Sequence, residues 1–205
     1  MKSPDPRSLK FLRVLGLDPA AAGATGYAVV ESDGRDFRML RFGALRPVAR
    51  QESQAGEILC RVHALITELI EEFAPTEIAL ESVFTALNRR TALRLAEMRG
   101  VVLLAAEQKG LEVHSYSPRQ IKCSVSGYGN AAKEQVQRMT RALLGLTETP
   151  EPADAADALA AALCHIQTAQ SRRQMAEGFG RGSALLRGQG TARHREGGSR
   201  ISIST

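Results

Sequence analysis

The chain contains few cysteines and no long hydrophobic run. Its three cysteines, Cys60, Cys123 and Cys164, are far apart and odd in number, which matches neither a disulfide framework nor a Cys-x-x-Cys zinc site. We therefore expect free thiols in a reducing compartment. No segment is apolar and long enough to span a membrane, and the basic N-terminus lacks the apolar stretch of a secretory signal. These absences favour a cytoplasmic protein.

The excess of positive charge is confined to the C-terminal part of the chain. The net charge is +5, from 27 basic and 22 acidic residues. Residues 168–205 contain seven of the basic residues and two of the acidic ones, which leaves 20 of each in residues 1–167. We expect a flexible N-terminus over residues 1–10, one domain over 11–168, and a disordered, Gly- and Arg-rich tail over 169–205 that binds phosphates weakly.

The order of the predicted elements indicates an α/β fold. Apolar runs separated by turns predict three strands in a meander within residues 11–45, the third over 37–45. Helices and strands then alternate. The pattern predicts a helix at 52–73, a strand at 76–81, a helix at 87–109 and a strand at 111–116. Ser117 caps the next helix, with Pro118 at its first position. Residues 123–130 are predicted to be a loop, followed by helices at 131–144 and from 152 to about 167. The result is a five-stranded sheet flanked by helices, with its first three strands antiparallel.

Four carboxylates stand at positions that this fold brings near each other. Asp18 ends the first strand, Glu81 ends the fourth, and Asp154 and Asp157 share one face of the last helix. Taken singly, Asp18 suits an Asp-Pro turn, and acids near a helix N-terminus complement its dipole. Taken together, they would converge beyond the strand ends, where α/β sheets form sites. Such a cluster requires cations, and oxygen ligands select Mg²⁺ or Mn²⁺.

The chain resembles the RuvC family of bacterial Holliday-junction resolvases, in the RNase H-like superfamily, over about residues 14–167. The resemblance rests on four segments in this order: LGLDP followed by TGYAVV, then IALESVF, SPRQIKCSVSGYGNAAK and ADAADALAAALCH. Two departures are Ala20, where the family has Gly within a shorter loop, and Ser82, where it has Gln. The resemblance implies an RNase H-like mixed sheet and makes the four acids catalytic metal ligands.

Further expectations follow from this resemblance. It implies two Mg²⁺ ions per site, replaceable by Mn²⁺, and a homodimer that cuts two strands of a four-way junction and leaves 5′-phosphate and 3′-hydroxyl ends. It also implies a complex with a branch-migration helicase. The predicted DNA contacts are Phe84, Arg89, Arg90, Arg94, Lys122 and Lys133, for which packing or plain solvation is the simpler alternative. His165 lies about 16 Å along the helix from Asp154 and is predicted to be structural. No partner is evident for His114.

Other functions remain open at this point. A nuclease that acts on RNA or on hybrids would carry the same four acids. An ATP-binding protein of the actin-like or sugar-kinase-like kind also begins with a strand, an acidic turn and a second strand, but needs two related halves and a longer chain. A protein that binds junctions without cutting them is the third alternative.

Overall fold

The computed structural model describes residues 11–20, 23–46, 55–82 and 89–188, with side chains described as far as residue 176. Five strands and five helices occur in these ranges. The strands are β1 (Leu12–Asp18), β2 (Thr25–Ser32), β3 (Phe37–Leu45), β4 (Glu77–Glu81) and β5 (Glu112–Tyr116). The helices are α1 (Ala55–Phe73), α2 (Arg89–Gln108), α3 (Pro118–Ser126), α4 (Lys133–Leu143) and α5 (Ala153–Gly188).

The strands form one mixed sheet in the order β3-β2-β1-β4-β5. The first three strands are antiparallel to one another, whereas β4 lies parallel to both β1 and β5. This arrangement confirms the predicted α/β fold. It also places the C-terminal ends of the neighbouring strands β1 and β4 at the same edge of the sheet.

One face of the sheet carries large apolar side chains. Leu15 and Leu17 of β1 alternate along the strand with smaller residues, and Ile78 and Leu80 of β4 do the same. Because side chains alternate between faces along a strand, these four point to the same side. They join the apolar cores of α1 and α2 in one cluster whose members are buried. Helices α1 and α2 therefore cover this face.

The opposite face carries small residues and is covered by the first part of α5. A Cβ atom built on Gly16 would lie 2.2 Å from the carbonyl oxygen of Ala158 and 2.9 Å from the Cβ of Ala162. Ala79 of β4 lies opposite Gly16, and the helix presents a run of buried alanines. The small side chains on both surfaces let the helix backbone approach the sheet more closely than larger residues would permit.

Helix α3 begins as the sequence predicts and ends later than it predicts. The Ser117 side chain accepts a hydrogen bond from the backbone of Gln120, whose side chain caps Ser117 in return, and Pro118 opens the helix. The predicted loop over residues 123–130 is wrong at its start, because the helix continues to Ser126. Gly127 ends it with a φ of 76°, a conformation that glycine adopts without strain.

The last helix also continues beyond its predicted end. The backbone is helical to Gly188, so the end predicted at about residue 167 is wrong. The composition of 169–205 suggested irregular structure, but residues 169–177 contain no glycine and several good helix formers. The chain divides into two units, Met1–Thr168 and Ala169–Thr205. Our expectations for residues 1–10 and 189–205 lie outside the described residues and stay predictions.

Among the described residues, no helix combines the length and the apolar composition that crossing a membrane requires. The thiols of Cys60, Cys123 and Cys164 are all free, and only that of Cys164 is buried.

Candidate active site

Two of the predicted acids lie side by side at one edge of the sheet. Strands β1 and β4 are parallel, and Leu17 is in register with Leu80. Asp18 and Glu81 are the next residues of their strands, and each is the last residue of its strand. They also share the face that α5 covers, because Gly16 and Ala79, two residues earlier, are in register on that face. Both side chains are partly buried.

The start of α5 brings the other two acids to the same edge. Asp154 and Asp157 lie in its first two turns, on one side of the helix. Gly26 of β2 pairs with Asp18 across the antiparallel ladder. A Cβ atom built on Gly26 would lie 1.9 Å from the carbonyl oxygen of Asp154, so only glycine at this position permits the contact. The helix therefore begins directly over the end of β1.

The four carboxyl groups interact electrostatically. Burial, together with the negative charges of Glu81, Asp157 and Asp154, raises the pKa of Asp18 from 3.8 to about 8. Burial also raises the pKa of Glu81 from 4.5 to about 7, with the charge of Asp157 as the next contribution. Desolvation and like charges both disfavour the ionised form of a carboxyl group. The structure thus brings all four predicted acids together in a site that disfavours its own negative charge.

Two predicted lysines lie beside these acids. The Nζ of Lys133, at the start of α4, donates a hydrogen bond to Oδ2 of Asp157 at 2.8 Å. This hydrogen bond raises the pKa of Lys133. The charges of Lys133 and Lys122 both oppose the rise in the pKa of Glu81. Lys122 lies on α3, so the short connection from Gly127 to the start of α4 holds the two lysines on the same side of the acids.

The donor set suits a hard divalent cation. The four acids supply only oxygen ligands, which favour Mg²⁺ or Mn²⁺ over softer metals. A bound cation would also remove the repulsion that raises the pKa of Asp18 and Glu81. Asp18, Glu81, Asp154 and Asp157 are the residues that could hold it. His165 takes no part, since its ring is buried and contacts Tyr116 and Glu77 instead.

The structure does not test Phe84 and gives no contact between the predicted arginines and the acids in the described residues. Phe84 lies outside the described residues, as do two residues of the loop that follows Ala20. Arg89, Arg90 and Arg94 are exposed at the start of α2. The positive charges that act on the pKa of Asp18 and of Glu81 are those of lysines, not of these arginines. The arginines therefore remain predicted contacts for a larger ligand.

Sequence reasoning missed a second polar cluster. His114 of β5, for which the sequence suggested no partner, lies against Glu77 of β4, and so does His165. The sequence offered one indication of this cluster, which is the acidic residue at the start of the apolar strand Glu77–Glu81. Glu81 was predicted from the same kind of pattern at the other end of the strand.

The mixed sheet, with acids at the ends of adjacent parallel strands and at the start of the helix that covers them, is that of an RNase H-like nuclease. A family model described as crossover junction endodeoxyribonuclease RuvC matches residues 14–165. The chain belongs to the RuvC family.

Relatives and solved structures agree with this assignment. The chain is 41% identical over 162 residues to the crossover junction endodeoxyribonuclease RuvC of Natranaerobius thermophilus, covering 79% of this chain and 99% of that protein. It is 45% identical over 172 residues to that of Moorella thermoacetica, covering 82% and 99%. The structure of T. thermophilus RuvC in complex with a Holliday junction substrate matches with a TM-score of 0.74 and 35% identity, covering 78% of this chain and 96% of that one. The yeast mitochondrial Holliday junction resolvase shares the fold, with a TM-score of 0.60 and 17% identity over 82% of this chain and 84% of that one.

The raised pKa of Asp18 predicts how the stability of the metal-free protein depends on pH. An ionised Asp18 disfavours the folded state, and this cost grows as the pH rises from about 4 to about 8. Asp18→Asn should therefore gain stability relative to the unchanged protein across that interval. Thermal unfolding in a chelating buffer, at steps of one pH unit, measures the difference.

Asp33→Asn is the matched control. Asp33 is exposed, and hydrogen bonds from the backbone of Asp36 and Arg35 lower its pKa below 3.8. Its contribution to stability is present above that value and lost only as the pH falls through the folded pKa. The stability difference for this variant should therefore be constant between about pH 5 and pH 8. Equal pH slopes for the two variants would contradict the assignment.

Proposed function

We propose that this protein is an endonuclease that resolves Holliday junctions in DNA recombination and repair. The observation that carries the proposal is the convergence of Asp18, Glu81, Asp154 and Asp157 at one edge of the sheet, with Lys122 and Lys133 beside them. Membership of the RuvC family and the similarity to a RuvC bound to a junction support this substrate. The four acids support hydrolysis as the reaction, and membership of the RuvC family supports a DNA junction as the substrate.

The proposed reaction is phosphodiester hydrolysis that leaves 5′-phosphate and 3′-hydroxyl ends. Two Mg²⁺ ions, with Mn²⁺ able to replace them, would activate the attacking water and stabilise the leaving 3′ oxygen when bound. Asp18 and Glu81, on rigid neighbouring strands, would fix the ligand positions, while the two acids of α5 complete the cage. Because burial and like charge raise the pKa of Asp18 to about 8, cation binding and ionisation of this carboxyl should be coupled.

The lysines would act on the phosphate. Lys133 already lies within hydrogen-bonding distance of Asp157, so its ammonium group is at the acidic cluster before any substrate arrives. A positive charge held there would stabilise the negative charge that builds on the phosphate in the transition state. Lys122, on the preceding helix, would hold the DNA backbone alongside. Arg89, Arg90 and Arg94 would contact phosphates further away, and Phe84 would stack on a base.

We further propose that the protein works as a homodimer joined through α2. Leu93 and Leu104 of this helix are 65% and 53% exposed and lie on the same side as Gly100. A pair of large apolar side chains beside a glycine is a surface that a second helix could cover closely. A two-fold dimer would place one site on each of two strands of a four-way junction.

We also propose a location in the bacterial cytoplasm and a contact with a branch-migration helicase, both supported only by the family resemblance. Co-purification of a helicase with the tagged protein from bacterial cells would test the second of these.

Replacement of a single acid should separate cutting from binding. We expect Asp18→Asn and Glu81→Gln to lower the rate of Mg²⁺-dependent junction cleavage by at least about 100-fold, because a metal ligand is lost. Junction affinity should be retained, since the amides keep the size of the side chains. Single-turnover cleavage with mapped nicks, and gel-shift binding in Ca²⁺, measure the two effects.

The substrate panel for this experiment contains an immobile four-way junction, a linear duplex and an RNA–DNA hybrid of matched sequence. Symmetric nicks that a ligase reseals without prior treatment would show 5′-phosphate and 3′-hydroxyl ends. Preferred cutting of the hybrid would overturn the junction assignment, and full activity in Asp18→Asn would overturn the role of the acids.

Loss of the Lys133 ammonium group should lower the rate of the chemical step more than the affinity. We expect Lys133→Met to lower single-turnover cleavage at saturating junction by about 100-fold, as for the loss of one donor to a developing charge. Lys109→Met is the control, because it makes the same change of charge at a lysine that pairs with Glu71 at 2.7 Å, on α1. Equal losses in the two variants would show that only the overall charge matters.

A charge on the exposed side of α2 should dissociate the dimer. We expect Leu104→Glu to sediment as a single chain at concentrations where the unchanged protein is a dimer, because the partner would bury the new carboxylate. Met139→Glu puts the same charge on an exposed apolar residue of α4 and should leave the mass unchanged. A monomeric unchanged protein at micromolar concentration would contradict the proposed dimer.

A further inference from the structure

Glu77, His114 and His165 bring three ligand atoms to one point. The Nε2 of His114 lies 2.9 Å from Oε2 of Glu77, and the Nε2 of His165 lies 2.8 Å from the same oxygen. One ligand atom from each of the three residues lies within 4.8 Å of those of the other two. His165 is buried, whereas the side chains of His114 and Glu77 are 21% and 27% exposed. The cluster therefore has a buried interior and lies close to the protein surface.

This cluster is separate from the four acids of the candidate active site. Glu77 and Glu81 are the first and last residues of β4, about 13 Å apart along the strand. His165 lies eight residues beyond Asp157 on α5, a distance of about 12 Å. Glu77, Ala79 and Glu81 all point to the face that α5 covers. The two clusters thus occupy opposite ends of one layer, with small apolar residues between them.

Ordinary hydrogen bonding does not account for the positions of the Nε2 atoms of His114 and His165. The two Nε2 atoms are buried, and although each lies close to Glu77, neither makes a contact of acceptable hydrogen-bond geometry with any described residue. The rings of His114 and His165 are 4.5 Å apart and tilted by 34°. The N–H direction of each ring therefore misses the carboxylate, while the three atoms still converge. A cation bound between the three atoms would need its ligand atoms to meet at one point in this way.

The other nitrogen of His165 is already held in place. Oη of Tyr116 lies 2.8 Å from Nδ1 of His165, and this hydrogen bond is buried. If Nδ1 carries the proton and donates it to the tyrosine oxygen, the lone pair of Nε2 is left for a cation. An outer partner that fixes the ring and its tautomer is usual for metal-binding histidines.

We propose that Glu77, His114 and His165 form a binding site for a transition-metal cation, with Zn²⁺ the best fit. Two imidazole nitrogens and one carboxylate oxygen are a ligand set that Zn²⁺ accepts in four-coordinate sites, with the fourth position taken by water or another oxygen. Oε1 of Glu112 lies 3.8 Å from Nε2 of His114 on an exposed side chain and is within reach of that position. Tetrahedral ligands at about 2.0–2.2 Å from an ion are about 3.3–3.6 Å apart, so each histidine nitrogen would move roughly half an ångström away from Oε2 of Glu77 to admit the ion.

The bound ion would fasten α5 to the sheet. Its ligands come from β4, β5 and α5, three elements that are distant along the chain. A cation that binds the folded state and not the unfolded chain stabilises the fold by mass action. Since α5 also carries Asp154 and Asp157, the ion would hold the helix that completes the acidic cluster, without touching the substrate.

Co²⁺ is the probe that distinguishes this site from the acidic cluster. Four-coordinate Co²⁺ with histidine ligands absorbs visible light strongly, whereas six-coordinate Co²⁺ among oxygens absorbs weakly. Titration of the full-length, metal-free protein should give strong visible bands that saturate at one equivalent and that Zn²⁺ removes. Zn²⁺ should also raise the melting temperature.

His114→Gln should weaken Co²⁺ affinity at least about tenfold, the loss that even an outer partner of a metal site causes. It should also remove the effect of Zn²⁺ on the melting temperature. Asp18→Asn, which alters the acidic cluster instead, should keep both the bands and the shift. Glu77→Gln serves as a second ligand variant if His114→Gln fails to fold, as judged by circular dichroism.

Three results would overturn the proposal. The first is the absence of strong visible bands when the unchanged protein is titrated with an excess of Co²⁺. The second is a Zn²⁺-dependent shift in melting temperature that persists undiminished in the folded ligand variant. The third is loss of the bands in Asp18→Asn, which would place the ion at the acids.

Discussion

The close approach of α5 to the sheet is the constraint on which the polar clusters depend. Gly16 and Gly26 lie against the carbonyl oxygens of Ala158 and Asp154, where a methyl group would collide with the helix backbone. The spacing is therefore set by the absence of side chains rather than by an attractive contact. Because one rigid helix carries both the acids at its start and His165 further along, any displacement would disturb both clusters together.

Charge at the acidic cluster works against the stability of the fold. Burial and mutual repulsion raise the pKa of Asp18 and Glu81, so the metal-free fold would be most stable when these groups are protonated. Lys133 offsets part of this cost through Asp157, but one ammonium group does not balance four carboxylates. An arrangement that disfavours its own ionised form is what a cation-dependent site needs, since the cation then supplies the missing interaction.

The two ends of the layer under α5 differ in the kind of cation that they suit. Oxygen ligands at the Glu81 end favour hard ions, whereas the imidazoles near Glu77 favour borderline ones. The same alternation along β4 produces both, because residues two apart share a face and an acid stands at each end of the strand. Ala79 lies between Glu77 and Glu81 on this face, and its small side chain lets α5 pack closely there.

Local patterns in the sequence determined the secondary structure and the acids. Apolar runs, turn residues and caps gave five strands, the helices and the order in which they follow, and the position of Asp18 and Glu81 at strand ends made them candidates before any contact was known. Local patterns located the helix ends poorly: α3 continues through residues 123–126 to its stop at Gly127, and α5 continues through helix-forming residues to Gly188.

Only the tertiary structure decided which distant side chains meet. The pairing of Lys133 with Asp157, and the meeting of His114 and His165 at Glu77, join residues that are between 24 and 88 positions apart. Such contacts leave no periodic trace in the sequence, because they arise from strand register and helix packing rather than from the neighbours of each residue. The sequence therefore specifies which groups are present, and the packing of α5 on the sheet decides what they can bind.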